Sequence, residues 1–310
     1  MEKIPVIIDS DPGTDDVAAL LLAYKSERFD VKAITAVAGN VELKDTADNA
    51  LRLASYIGWD VAVAKGADKP LLCPLQTAED IHGKGGMRGL TLPDPCRGFD
   101  SRPAWDLIYD VAKECGGRLE IIAIGPLTNI ATALMKYPEL KSLIKRIVIM
   151  GGAILAGNTT PAAEFNIYVD PEAAKRVFES GVPVYMCPLD VTHQSYITKE
   201  EIAGIAKLGT KEAEFFAEIT GRDADRMSFY SGGRGVPLHD PCAVLFAEDE
   251  SYFEYEECFI GVETSGDFAR GKTVTDCYSD KQLENNAFLV KSVDRDAFIS
   301  RIFELMRRYQ

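Results

Sequence analysis

Short runs of apolar, β-branched residues alternate along this chain with longer segments that mix apolar and polar positions. Ile4–Asp9, Val31–Ala38, Val61–Ala64, Leu119–Ile124, Arg146–Met150 and Val184–Cys187 are such runs, and each predicts a strand buried on both faces. Helices fall between them: Asp16–Lys25, apolar on nearly all sides, then roughly Lys44–Ile57, Leu127–Lys136 and Pro171–Ser180. Further strands follow near 258–264 and 287–293, and Arg295–Arg308 closes the chain as a helix. Strands spaced by helices build βαβ units. The pattern therefore predicts a single α/β domain over residues 1–310. It has a Rossmann-like, mostly parallel (mixed) sheet, helices on both faces, and an active site at the C-terminal ends of the strands.

Two stretches break the alternation. Residues 74–104 are rich in Gly, Pro and charge, which suits a mobile loop near an active site. Residues 199–240 read as helical to about Asp225 and then turn glycine-rich in YSGGRGVPLHD.

Composition narrows the class. With 46% hydrophobic and 26% charged residues the chain is ordinary for a globular protein with a substantial core. A net charge of −14 argues against a nucleic-acid partner, which needs a basic surface. No apolar stretch approaches the ~20 residues that span a bilayer, so no membrane partner is expected. The N-terminus runs straight into a strand without the regions of a signal peptide. The seven cysteines are scattered, odd in number and without a CxxC pair, which disfavours a disulfide scaffold or a zinc ribbon. A reduced, cytoplasmic setting is expected.

The densest chemistry lies in IIDSDPGTDD, residues 7–16. Asp9, Asp11, Asp15 and Asp16 fall where a buried strand gives way to a helix, and Pro12-Gly13 supplies the tight turn that folds one pair back on the other. A helix cap needs one such acid. Four together repel unless a cation or shared protons offset the charge. Carboxylates without His or Cys neighbours favour a hard cation over zinc. Two reaction classes use such a site: phosphoryl transfer, as in haloacid-dehalogenase-like phosphatases, and hydrolysis by an activated water. Phosphoryl transfer needs positive groups around the phosphate. The chain has no GxxxxGK[ST] loop and no obvious lysine poised near the motifs for a phosphate.

Together with VAGN at 37–40, GPLTNIA at 125–131, MGG at 150–152, GNTTPAAEFNIYVDPEAA at 157–174 and PLHDP at 237–241, this segment resembles the inosine-uridine preferring nucleoside hydrolase family over nearly the whole chain. The resemblance implies hydrolysis of a ribonucleoside to ribose and free base. It implies a Ca²⁺ held by Asp11, Asp16, Asp240 and the backbone carbonyl of Ile124, a position where the family often has threonine. Asp9 would stand behind the metal and orient its ligands. Asp11 would also be the general base, acting on a water acidified by the cation, with Asn40 helping to hold that water. Asp15 and Asn166 would bind the 2′- and 3′-hydroxyls and Asn158 and Glu164 the 5′-hydroxyl, with Met150 lining the sugar pocket.

On the base side, the resemblance gives His239 the part of proton donor to the leaving base, for which an imidazole is suited near neutral pH. His82 matches a base contact carried in by a closing loop, whereas His193 reads as structural. Phe229 and Tyr230 are placed to flank the base or simply to pack. The purine-specific branch sandwiches its base between tryptophans. Trp59 and Trp105 lie outside the matching positions, which points to a broader or pyrimidine-accepting specificity. The family also implies a homodimer or homotetramer. The alternatives are hydrolysis of another N-riboside, such as nicotinamide riboside or a modified nucleoside, a phosphatase, and a non-catalytic nucleoside binder.

Overall fold

The computed structural model describes residues 2–222, 224–276 and 283–309, Tyr230 by its backbone alone. Among these residues the predicted alternation appears as strands β1 (Ile4–Ser10), β2 (Phe29–Ala36), β3 (Ala62–Lys65), β4 (Leu119–Ala123), β5 (Ile144–Met150) and β6 (Val184–Cys187). A two-stranded ribbon of β7 (Tyr196–Ile197) and β8 (Val236–Pro237) stands apart, and β9 (Phe253–Val262), β10 (Thr273–Asp276) and β11 (Ala287–Val293) follow. The main sheet runs β10-β9-β11-β6-β5-β4-β1-β2-β3. Pairing is parallel from β11 to β3, and β9 is antiparallel to both of its neighbours. The fold is a single-domain α/β architecture with a mostly parallel mixed sheet, as the hydrophobic pattern predicts.

Each parallel strand is apolar toward both sides. Val6, Ile8, Ile34, Ile122 and Val148 enter one core, and Ile7, Ala33, Ile121, Ile147 and Ile149 the other. Helices cover both faces: α1 (Thr14–Lys25), α2 (Leu43–Tyr56), α3 (Glu79–His82), α4 (Ala104–Cys115), α5 (Thr128–Lys136), α6 (Phe165–Val169), α7 (Pro171–Phe178), α8 (Leu189–Thr192), α9 (Lys199–Ala206), α10 (Lys211–Gly221), α11 (Ala224–Met227), α12 (His239–Glu248) and α13 (Arg295–Arg307). The all-round apolar character of α1 has its reason in packing: α12, α10 and α13 surround it, and Leu20, Leu21 and Leu22 are fully buried.

Several elements differ from the sequence reading. Helix α4 begins where the expected loop ends. The 199–225 helix is broken into α9, α10 and α11, with Gly209 at φ 74° terminating the first. The strand expected at 258–264 starts earlier, at Phe253, and α12 grows directly out of the expected glycine-rich turn.

Strand order sets the place of the site. Successive strands run outward from β1 on one side, to β2 and β3, and return on the other as β4, β5 and β6. The β1/β4 boundary is thus a switch point, where the following loops diverge and leave a crevice beyond the C-terminal strand ends.

Candidate active site

The end of β1 and the start of α1 are drawn together by Asp16. Its carboxylate accepts the Ser10 hydroxyl (2.7 Å), the Asp11 N–H (3.1 Å), the Gly13 N–H (3.0 Å) and the Asn40 side-chain amide (3.1 Å). Asp11, one step outside the strand, accepts the Asn40 N–H at 2.7 Å on one oxygen. Its other oxygen is buried with no partner among the described residues. Gly39 and Gly125 press against this carboxylate, since a Cβ on either would lie 2.2 Å or 2.6 Å from its oxygens. Behind it, Asp9 accepts the Thr35 hydroxyl (2.6 Å) and the Asn129 amide (2.8 Å).

Asp240 arrives from far along the chain, on the first turn of α12. Its N–H donates to the Asp15 carboxylate at 3.0 Å, a contact between residues 225 positions apart. Burial raises all five of these carboxyls. Asp9 and Asp15 are pushed up to about 7, while Asp11 and Asp240 are driven well above the usual range, with neighbouring aspartates adding to the effect.

On the β4–β5 side, the Asn166 amide donates to the carbonyls of Ile124 (3.2 Å) and Met150 (3.1 Å), so the two strand ends and α6 share one side chain. Glu164 caps α6, accepting the N–H groups of Asn166 and Ile167, and also takes that of Gly152. Burial lifts its carboxyl to about 7. Asn158 accepts the Phe165 N–H at 3.0 Å, which folds the 157–163 loop over the same wall.

These parts surround a cleft of about 360 Å³. Asp15, Asn40, Ile124, Met150, Asn158 and Glu164 line it, with Asn166, His82, His239 and Asp240, whereas Asp9, Asp11 and Asp16 are fully buried and outside its lining. His82 Nδ1 faces the Thr14 N–H (3.3 Å) and hydroxyl (3.2 Å). A main-chain N–H can only donate, so Nδ1 is the acceptor and the proton of the neutral ring sits on Nε2. Burial lowers its pKa to about 3. His239 pairs through Nδ1 with the Thr192 hydroxyl at 2.7 Å, and burial likewise brings it to about 3.

Some of the base-side residues fall elsewhere than the sequence places them. Phe229 is 80% exposed and stands outside the cleft lining. The Tyr230 side chain lies outside the described residues. His193 lines the cleft, 5.6 Å from the His239 ring, with its Nε2 buried and unpartnered among the described residues. Its neighbours in sequence give no sign of this, because α8 and α12 meet only in three dimensions. Ile219, Thr220, Met227 and Arg88 also line the cleft and carried no motif. Trp59 is core, 5.1 Å from the Tyr24 ring, and Trp105 packs against the second core cluster.

What the arrangement can hold follows from its donors. They are carboxylate oxygens, a main-chain carbonyl and an unpartnered buried Asp11 oxygen, all hard, and their mutual repulsion calls for positive charge. Among the described residues no three acidic, His or Cys side chains stand arranged to hold a metal by themselves. A cation here would draw on the Ile124 carbonyl, water and substrate hydroxyls as well. The donor set fits calcium on those terms.

The family model described as inosine-uridine preferring nucleoside hydrolase matches residues 6–300. Among curated relatives, the pyrimidine-specific ribonucleoside hydrolase RihA of Photobacterium profundum is 42% identical over 98% of this chain and 99% of its own. The protein of that name from Salmonella typhimurium is 42% identical over 99% of each. Among solved structures, a plant nucleoside hydrolase superposes with a TM-score of 0.91 at 31% identity, covering 99% of both chains. A purine-preferring ribonucleoside hydrolase from Gardnerella vaginalis gives 0.90 at 33% identity, over 98% of this chain and 99% of that one.

Proposed function

The chain belongs to the inosine-uridine preferring nucleoside hydrolase family, whose members are N-glycosyl hydrolases, and we propose that it is a calcium-dependent enzyme that hydrolyses pyrimidine ribonucleosides to ribose and free base. The observation that carries the reading is the Asp240–Asp15 contact, which brings an acid from far along the chain onto the aspartate turn at a strand-end crevice. Asp11, Asp16, Asp240 and the Ile124 carbonyl would hold the cation. A bound calcium supplies positive charge that acidifies the attacking water and offsets the repulsion among the carboxylates.

The chain's own groups do the rest. Asp11 takes the proton of the attacking water, and Asn40 fixes the angle of that carboxylate through its N–H. Asp15 and Asn166 bind the 2′- and 3′-hydroxyls, and Asn158 and Glu164 the 5′-hydroxyl. As the glycosidic bond stretches, positive charge grows on the sugar, and the acidic ring stabilises it. His239, kept neutral by burial, assists the leaving base first by a hydrogen bond. His82 presents Nε2–H from the other side. The preference for pyrimidines rests on the relatives named for that specificity and on a base side whose described lining holds no tryptophan. A cytoplasmic homodimer or homotetramer rests on kinship alone.

The test is ribose release from uridine, cytidine, inosine and adenosine, with and without chelator. Release from the pyrimidine nucleosides, abolished by chelation and restored by calcium, is expected. Phosphate release from phosphomonoesters, with no ribose from any nucleoside, overturns the reading.

A further inference from the structure

The base side of the cleft is built by two segments remote in sequence: residues 76–90, which carry α3 and His82, and the α10–α11 stretch, which carries Ile219, Thr220 and Met227. Arginines fasten them in both directions. Arg88 Nη1 donates to the Arg222 carbonyl at 2.6 Å, and Arg222 Nη1 donates to the Arg88 carbonyl at 2.7 Å. Arg226 Nη1 adds a bond to the Asp80 carbonyl at 3.2 Å. Within its own segment Arg88 also closes on the histidine. Its N–H donates to the His82 carbonyl (2.7 Å) and its Nε to that of Ile81 (2.9 Å).

Arg88 is the one non-glycine among the described residues with a left-handed backbone, φ 46°. Gly86 and Gly89 on either side also have positive φ. Glycine would take this conformation more easily than a residue with a Cβ. Such strain persists where surrounding contacts over-determine it, and here those contacts are the arginine's own.

We propose that Arg88 and Arg222 form a two-way clasp that sets the base-side wall of the cleft and positions His82 toward the nucleobase. Both are positioning residues. A guanidinium presents its donors in a rigid fork, so each carbonyl is held in direction as well as in distance; lysine would keep the charge and lose the fork. The kinetic side of this proposal rests on the nucleosidase reading; the structural side does not.

The experiment compares Arg88→Lys, Arg222→Lys and the double variant, each first shown to melt near the wild type. Hydrogen exchange without substrate is followed in both segments, and kcat and KM are measured on uridine and on 4-nitrophenyl riboside, whose leaving group needs little help. Each single variant is expected to raise exchange in both segments and to lower kcat/KM on uridine about 10- to 100-fold. 4-Nitrophenyl riboside turnover should change less than about 3-fold, and the double variant should lose little more than either single. Exchange raised only in the mutated segment, additive losses, or equal losses on both substrates would overturn the clasp. If the wild type releases ribose from no nucleoside, the functional reading fails, and the exchange data alone decide on the clasp.

Discussion

Asp11 sits where two glycines leave no room for anything but its carboxylate. Replacing it with alanine removes the proposed base and one cation ligand together, and kcat should fall by about 10³-fold or more while the fold survives. A variant with unimpaired kcat would sink the assignment. Gly125→Ala is the subtler probe. The new Cβ would lie 2.6 Å from an Asp11 oxygen and 3.0 Å from its backbone nitrogen, and the buried carboxylate has nowhere to retreat. We expect about a 10²-fold loss of kcat/KM from misplacement alone, accompanied by weaker calcium binding in titration calorimetry. His239→Ala should slow uridine far more than 4-nitrophenyl riboside, and equal losses would count against assistance to the base. At this scale the sequence was informative wherever a motif was continuous. It gave no sign that His193 lines the cleft, because that side chain enters from the end of a short helix with no marker of its own.

At the scale of elements, the catalytic turn depends on α1, which has no solvent face. Leu21→Ala, at a fully buried position, should cost about 2–5 kcal/mol in chemical denaturation. Helix α12 delivers His239 and Asp240 in its first turn and lies against α1. Its residues are buried from Asp240 to Glu248, so it lacks the polar stripe by which a helix is recognised, and its short apolar run reads equally as strand or helix. The far end of α12 is anchored by Glu248, buried and bonded to Arg301 of α13 at 2.6 and 2.9 Å. Arg301→Met would strand that carboxylate and should destabilise by about 3–5 kcal/mol. The double change Glu248→Gln with Arg301→Met should recover part of the loss, and no recovery would show that the pair is not the cause.

For the whole molecule, calcium should act as a cross-link. The proposed ligands come from the β1–α1 turn, the end of β4 and the start of α12, and no unfolded chain keeps them together. At about 100 times the dissociation constant, calcium should add about 2.7 kcal/mol of stability, visible as a rise in melting temperature; an unchanged melting temperature would refute the site. Proton linkage gives a second reading of the same charges. Asp9, Asp15 and Glu164, raised by burial to about 7, hold protons that the unfolded chain gives up from about pH 4. Folded-state pKa values above the unfolded ones support the fold at low pH and withdraw that support as pH climbs toward 7. With chelator present, urea midpoints should therefore fall as pH rises from about 4 to about 7, and calcium should flatten the slope.

The order of buried strands and helices, the acid-rich turn and the family kinship were all legible in the chain, because a strand buried on both faces is apolar along its length and Pro followed by Gly favours a tight turn. Tertiary structure alone decided that the Asp240 N–H meets the Asp15 carboxylate, that Asn166 bridges the ends of β4 and β5, and that Arg88 and Arg222 grip each other within the base-side wall. Those contacts join residues that share no local pattern. Only the closing of the sheet and the packing of its covering helices bring them within hydrogen-bond reach.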